Sequence, residues 1–377
     1  MNIKLNEQIK LVETSKIRQF NDYAQSVGAN LILTLGQPDF NTPDSVKKAC
    51  INALNQNMTK YGPTPGLLST RKAVCEFEKR KNNLDYVPDE VIITHGSTEA
   101  LTAAIFTMTN PGDEFIVPIP AYPMYRQIIN FAKGKVVTID TTANNFQISK
   151  EMLDKAITSK TKAIIITSPN NPTGAILDDQ SLANIYNAIK NKPIYLISDD
   201  VYNQIIYTKA SFMCKYKDLK PQMIICQSLS KPYAMPGWRC GYMLAPKDFV
   251  IEALKIHQYM LVGENTFIQP AMEEALLFDP KEMIESYKIR RDYVCNRLIN
   301  MGLVLNIPEG AFYVFPSIKK FGIDSWTFCK MLALKYKVAI IPGICFEADD
   351  YIRISYCVDM DTIKKALDAL ESFIKEL

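Results

Sequence analysis

The chain has 377 residues, of which 47% are hydrophobic and 22% charged. Those values exclude disordered and collagen-like classes, and at roughly 150 residues per domain they point to two domains. Lys+Arg at 43 against Asp+Glu at 40 leaves a formal charge of +3, which offers no basic face for nucleic acid.

Met1–Glu7 has no apolar run behind its charge, and no stretch approaches about 18 apolar residues, so neither a signal peptide nor a membrane span is expected. Residues 1–42 are assigned to an N-terminal arm that joins part of a small domain. Residues 43–280 are assigned to a large domain. Its expected strands are the short apolar runs Val91–Thr94, Glu114–Val117, Val136–Ile139, Ala163–Thr167, Ile194–Ser198 and Met223–Gln227. Helical patterns such as Thr98–Met108 and Asp178–Ile189 lie between them. This alternation argues for an α/β fold, a mostly parallel sheet covered by helices on both faces.

Residues 281–377 read as a smaller α+β domain. A long helix over about 281–301 opens it. Short strands follow at Phe312–Phe315, Val338–Ile341 and Ile352–Tyr356, with a helix from Trp326 to Tyr336. Ile363, Ala366, Leu367, Leu370 and Ile374 then recur at helical spacing.

Two histidines far apart in sequence, His95 and His257, exclude a histidine-rich metal centre. Nine cysteines without a C-x-x-C pair read as reduced thiols, hence a cytoplasmic protein.

Several strand ends carry residues suited to chemistry. Thr94 leads into His95-Gly96-Ser97-Thr98, where glycine allows close approach and Ser97 and Thr98 open a helix whose free N–H groups suit an anion. Tyr122 follows the strand at Glu114 and suits stacking on a flat ring, or equally a place in the core. Asn171 in Pro169-Asn170-Asn171-Pro172 is either an aimed amide or part of a plain turn. Asp199 ends a strand with Tyr202 three residues on; read alone, a helix cap fits it as well.

The strand at Met223 runs into Ser228-Leu229-Ser230-Lys231, with Arg239 eight residues beyond the lysine. A lysine desolvated there becomes a nucleophile, and arginine with hydroxyls suits a phosphate. Arg353 lies in a β-patterned run of the second domain. Its fork suits a ligand's carboxylate or an internal Asp or Glu.

Together these sites offer a phosphate cradle, an aromatic plate, an acid, two donors and a lysine. A flat, phosphorylated, carbonyl-bearing pyridine needs that inventory. The chain resembles the fold-type I pyridoxal-phosphate enzymes, and among them the class I/II aminotransferases. The resemblance runs from Leu35-Gly36-Gln37-Pro38-Asp39-Phe40 to Arg353. It includes Asn171-Pro172-Thr173-Gly174, Ser198-Asp199-Asp200-Val201-Tyr202 and Ser228–Tyr242 in family order.

The resemblance implies roles. Lys231 forms a Schiff base with pyridoxal 5'-phosphate and moves protons. Asp199 pairs with the pyridine nitrogen, and Asn171 and Tyr202 bond the ring oxygen. Tyr122 stacks on the ring. Ser97, Thr98, Ser228, Ser230 and Arg239 hold the phosphate. Arg353 binds the substrate carboxylate, helped by Asn171 and the backbone of Gly36. Tyr61 matches a tyrosine that reaches the neighbouring subunit's phosphate, which implies a homodimer with shared active sites.

The implied reaction moves an amino group from an L-amino acid (aromatic, neutral or glutamate-type) to a 2-oxo acid, by a ping-pong Schiff-base mechanism. The partners are then small molecules, with no nucleic acid and no membrane. The chain departs from the family pattern at Gln37, Asp200, Pro232 and Pro236, none of which holds a named role. Thr98 stands where some dicarboxylate-preferring relatives carry lysine.

A carbon–sulfur β-lyase on the same fold is the alternative. Its members tend to follow the Asn-Pro turn with a basic residue and a tryptophan, whereas Gly174-Ala175-Ile176-Leu177 stands here and favours transamination. A cofactor-sensing regulator would need a DNA-binding region before the fold. The family match begins near residue 31, which argues against that reading.

Overall fold

The computed structural model describes residues 6–377; the first five residues of the expected N-terminal arm lie outside the described residues. Among the described residues twelve strands occur in chain order: β1 (Leu31–Ile32), β2 (Val91–Thr94), β3 (Glu114–Ile119), β4 (Lys135–Asp140), β5 (Thr161–Thr167), β6 (Tyr195–Asp199), β7 (Met223–Ser228), β8 (Gly241–Leu244), β9 (Tyr313–Val314), β10 (Val338–Ala339), β11 (Ile341–Pro342) and β12 (Ile352–Ser355).

Seven of them form one sheet in the order β2-β8-β7-β6-β5-β3-β4. The pairs from β7 to β4 are parallel, and β8 runs antiparallel to β7 and β2. Alternate side chains feed opposite faces, as the two-residue period of a strand requires. Ile93, Ile116, Ile164, Leu196 and Ile225 enter one core. Ile92, Phe115, Ile165, Ile197 and Ile224 enter the other.

Helices Asp44–Asn55, Leu68–Asn82, Lys150–Ala156, Asp179–Ile189 and Gln269–Leu277 cover the first face. Helices Gly96–Met108, Met124–Phe131 and Lys247–Leu261 cover the second. Burial on both faces explains why the central strands read as continuous apolar runs. The edge strand β4 instead exposes Lys135, Thr138 and Asp140, a polar rim that discourages further pairing.

Strand β8 has no counterpart among the strands expected from sequence. It is four residues long, and Gly241 starts it under a tight constraint. A Cβ there would lie 2.5 Å from the Gln227 carbonyl oxygen and 2.7 Å from the backbone of Gly96. Only glycine lets the chain turn back between β7 and β2 at that distance.

A third core gathers Phe20, Ala24 and Leu33 with Leu298, Phe312, Val314, Phe328, Leu332, Ile354, Ile363, Leu367 and Phe373. Within it β1 pairs parallel with β10, Leu31 opposite Val338, while β11, β12 and β9 form a separate antiparallel sheet. The single strand expected over Val338–Ile341 is thus two strands, because its halves bond to different partners on different sheets. Helix ends are satisfied locally. Asp178, Asp324 and Asp359 each accept the backbone N–H three residues on, from Ser181, Thr327 and Thr362.

Candidate active site

The carboxyl ends of β2, β3, β5, β6 and β7 deliver the residues singled out above, and β12 of the third core supplies Arg353. Asp199, the last residue of β6, is 4% exposed. Its Oδ2 accepts a hydrogen bond of 2.7 Å from Tyr125 Oη, and its Oδ1 is buried with no partner. Burial lifts this carboxyl to about 6, while the Tyr125 bond, the Val201 backbone and the Lys231 charge pull it back down. No α-helix follows Asp199 before residue 247, so the helix-cap reading fails.

Lys231 leaves the turn after β7 and points its Nζ at the carbonyl oxygen of Gly36, 2.5 Å away. Burial pushes its ammonium down to about 8, helped by the charges of Arg353 and Arg239 and opposed by Cys357 and Asp199. At that value about a tenth of the amine is free at about pH 7, far more than for an ordinary lysine.

Arg353, 3% exposed, is the guanidinium that the third core brings to this pocket. Nη1 donates to Asn171 Oδ1 at 3.0 Å and Nη2 donates to the Thr34 carbonyl at 2.6 Å, while Nε is buried with no partner. No carboxylate pairs with it among the described residues. The internal ion pair that its sequence setting left open is therefore absent, and the guanidinium keeps its charge for a ligand. The Tyr313 and Phe346 rings lie 4.5 and 5.0 Å from it.

Gly96 opens the helix Gly96–Met108 at φ +74, and a Cβ there would meet Arg239 Nη2 at 2.8 Å. Arg239 is braced by the carbonyls of Pro236 and His95 at 3.2 and 3.3 Å. Ser97 and Thr98 stand at the same helix start. Ser228 Oγ and Ser230 Oγ are buried 2.9 Å apart. Unpaired helix N–H groups, hydroxyls and a guanidinium together make a cradle for a dianion.

Tyr122 is half-buried and meets Tyr125 edge-on, with ring centres 6.0 Å apart. Tyr202 is buried with its hydroxyl 2.8 Å from that of Tyr313. Tyr61 stands apart, 90% exposed. Sequence reasoning missed Tyr125, Thr34 and Tyr313. Tyr125 had one usable signal, its place a single turn beyond Tyr122. Thr34 acts through its backbone, and Tyr313 lies in an apolar run that marks only a strand.

A family model described as aminotransferase class I and II matches residues 30–370. The chain is 39% identical over 377 residues to a probable N-acetyl-LL-diaminopimelate aminotransferase of Bacillus subtilis, covering 98% of this chain and 95% of the relative. It is 34% identical over 383 residues to aromatic-amino-acid aminotransferase 2 of Thermococcus litoralis, covering 99% and 98%. The solved aspartate aminotransferase of Thermotoga maritima superposes with a TM-score of 0.94 at 31% identity, covering 98% of this chain and 100% of that one.

Proposed function

The chain belongs to the class I and II aminotransferase family, and from that premise we propose how its residues divide the work of the reaction. Members of the family are pyridoxal-phosphate-dependent enzymes that exchange an amino group between an amino acid and a 2-oxo acid, and this chain is one of them. Nothing in the similarities above favours a carbon–sulfur lyase.

The observation that carries the site assignment is the bare Oδ1 of Asp199. A buried carboxylate oxygen without a partner is costly, and a pyridine nitrogen holding a proton removes that cost. The rest of the site fits the same group. The start of the helix at Gly96, with Ser97, Thr98, Ser228, Ser230 and Arg239, holds the phosphate. Tyr122 would pack on the ring, and Asn171 and Tyr202 would bond the ring oxygen.

When bound, the cofactor supplies a carbonyl that condenses with amines and a ring that spreads the electron pair left at Cα. Asp199 keeps the proton on the ring nitrogen by charge pairing. Arg353 and Asn171 fix the substrate carboxylate, with the unpartnered Nε as the open donor. Lys231 Nζ would hold the cofactor's carbonyl carbon and, as a free amine, would serve as the base for the substrate Cα proton. Each half of the exchange uses these same groups, so one product leaves before the second substrate enters.

Thr98 puts no cation beside the phosphate cradle, and we place the amino donor among aromatic, neutral or glutamate-type L-amino acids. Exposed Tyr61 and Tyr259, 90% and 89% accessible, with half-exposed Leu68, support a homodimer in which Tyr61 enters the partner's site. Nine free cysteines and a charge of +3 support a cytoplasmic protein without nucleic-acid or membrane partners; no helix among the described residues is long and apolar enough to cross a membrane. Residues 43–280 form the cofactor-binding domain and 281–377, with the arm 1–42, the small one. The core that gathers Phe20, Ala24 and Leu33 with Leu298, Phe328 and Leu367 supports that division.

The test is a half-reaction. Holoenzyme is given single L-amino acids while oxo acid and ammonia are assayed. One oxo acid per site with no ammonia is expected. Continuous pyruvate and ammonia from cystathionine would overturn the assignment.

A further inference from the structure

Tyr313 is the first residue of β9 and is 1% exposed. It belongs to none of the motifs in the sequence, yet it touches three separate parts of the site. Its hydroxyl lies 2.8 Å from Tyr202 Oη. The Arg353 guanidinium stands 4.5 Å from the centre of its ring. Gly36 packs against its hydroxyl so closely that a Cβ would come within 2.2 Å of Oη. The carbonyl of that same Gly36 holds Lys231 Nζ.

The direction of the Tyr313–Tyr202 bond matters because each phenol carries one hydrogen. If Tyr202 donates to Tyr313, its proton is turned away from any ligand. If Tyr313 donates, the Tyr202 proton is free to point into the pocket. A cation over the ring makes a phenol the better donor, and the cation stands over Tyr313. Burial raises both phenols, and the Arg353 charge works against that rise at Tyr313 as its next largest influence. The 2.8 Å separation allows either phenol to donate, and the Arg353 charge over its ring favours Tyr313 as donor.

We propose that Tyr313 is a positioning residue with two separable actions. Its hydroxyl donates to Tyr202 and so aims the Tyr202 proton at the cofactor. Its ring seats the Arg353 guanidinium for the substrate carboxylate. The inference rests on the roles proposed above for Tyr202 and Arg353.

The experiment separates the two actions by chemistry. Tyr313→Phe removes the hydroxyl and keeps the ring. Tyr313→Met (or Tyr313→Leu, should the first not fold) removes both. Each is made alone, and Tyr313→Phe is also made in a Tyr202→Phe background. Two quantities are read: the pH midpoint of the bound cofactor's visible absorbance, and KM for the amino donor apart from kcat.

With Tyr313→Phe the midpoint moves by about half to one pH unit, the size one neutral hydrogen bond carries. KM stays within about twofold. With the ring gone the midpoint moves alike and KM rises about three- to thirtyfold, the range of a desolvated cation–π contact. On the Tyr202→Phe background, Tyr313→Phe adds no further movement.

A midpoint unmoved by Tyr313→Phe, or moved equally in both backgrounds, overturns the hydroxyl action. A KM that does not separate Tyr313→Phe from the ringless variant overturns the ring action. A midpoint unmoved by Tyr202→Phe alone overturns the Tyr202 assignment itself and the inference with it. That outcome is distinct from one in which only the Tyr313 variants are silent.

Discussion

Tyr125 donates its phenol hydrogen to one oxygen of Asp199 at 2.7 Å and leaves the other oxygen bare. The bond fixes the carboxylate plane, so the free oxygen has one direction in which to meet a donor. Asp199 is thus oriented by a side chain of the helix Met124–Phe131 rather than by its own strand.

Asp199→Asn keeps the shape and loses the charge. We expect kcat to fall by about two to four orders of magnitude, matching about 3–5 kcal/mol for removing one partner of a buried charge pair. Single-turnover kinetics measure it, and a loss below tenfold contradicts the role. Tyr125→Phe leaves Oδ2 without its donor and should cost about 1–3 kcal/mol of stability in denaturant titration.

Lys231 gives a pH signature in the cofactor-free protein. Its ammonium is pushed down to about 8, so the neutral amine, the reactive form, fills in through that pH. The rate of condensation with added pyridoxal phosphate should climb about tenfold per unit below pH 8 and level off above it. Stopped-flow absorbance follows it. A rate still climbing at about pH 10, near an ordinary lysine, would contradict the buried setting. Lys231→Ala should abolish both the condensation and turnover.

Arg353→Ala should raise KM for every amino acid by about ten- to a hundredfold, the worth of a charge-assisted pair in a buried pocket. The check is a panel of acidic, neutral and aromatic donors. An effect confined to acidic donors would make Arg353 a reader of the side chain instead.

Asp200 should shape the stability of the cofactor-free protein. Burial lifts its carboxyl to about 7, with Glu78 and Asp199 adding to the rise and the Ser198 bond opposing it. A carboxyl raised in the folded state binds its proton more tightly there than when unfolded. Its contribution is therefore complete below the unfolded value near 4 and is lost as pH rises through about 7. Asp200→Asn should remove on the order of 2 kcal/mol of the stability lost between pH 5 and 8. Thermal melts at the two pH values measure it, and an unchanged difference would show that Asp200 is not the group responsible.

What was legible in the sequence follows from burial. Strands β3, β5, β6 and β7 are covered on both faces and so stand out as apolar runs, and the polar residues at their ends stand out against them. Strand β8 hides because four residues after a long turn look like the turn's continuation, and its marker is one glycine. The Asn171–Arg353 bond joins positions 182 residues apart, and neither local pattern names the other. Tyr125 and Tyr313 escape for another reason. A buried tyrosine serves the core by its ring and the site by its hydroxyl, and sequence shows only the first use. For Tyr61 the missing information is a second chain.

The parallel pairing of β1 with β10 puts the order of synthesis at odds with the order of assembly. The seven-stranded sheet has all its strands once Leu244 has been made. Phe20, Ala24 and Leu33 leave the ribosome long before that, yet the surfaces they cover arrive only with the helix Ser325–Tyr336, Val338 and the helix Met360–Glu376. The nascent chain therefore carries the apolar residues of Phe20–Leu33 uncovered through the making of the whole seven-stranded sheet. A product truncated before Val338 keeps every strand of the seven-stranded sheet and leaves Leu31 and Ile32 without their strand partner.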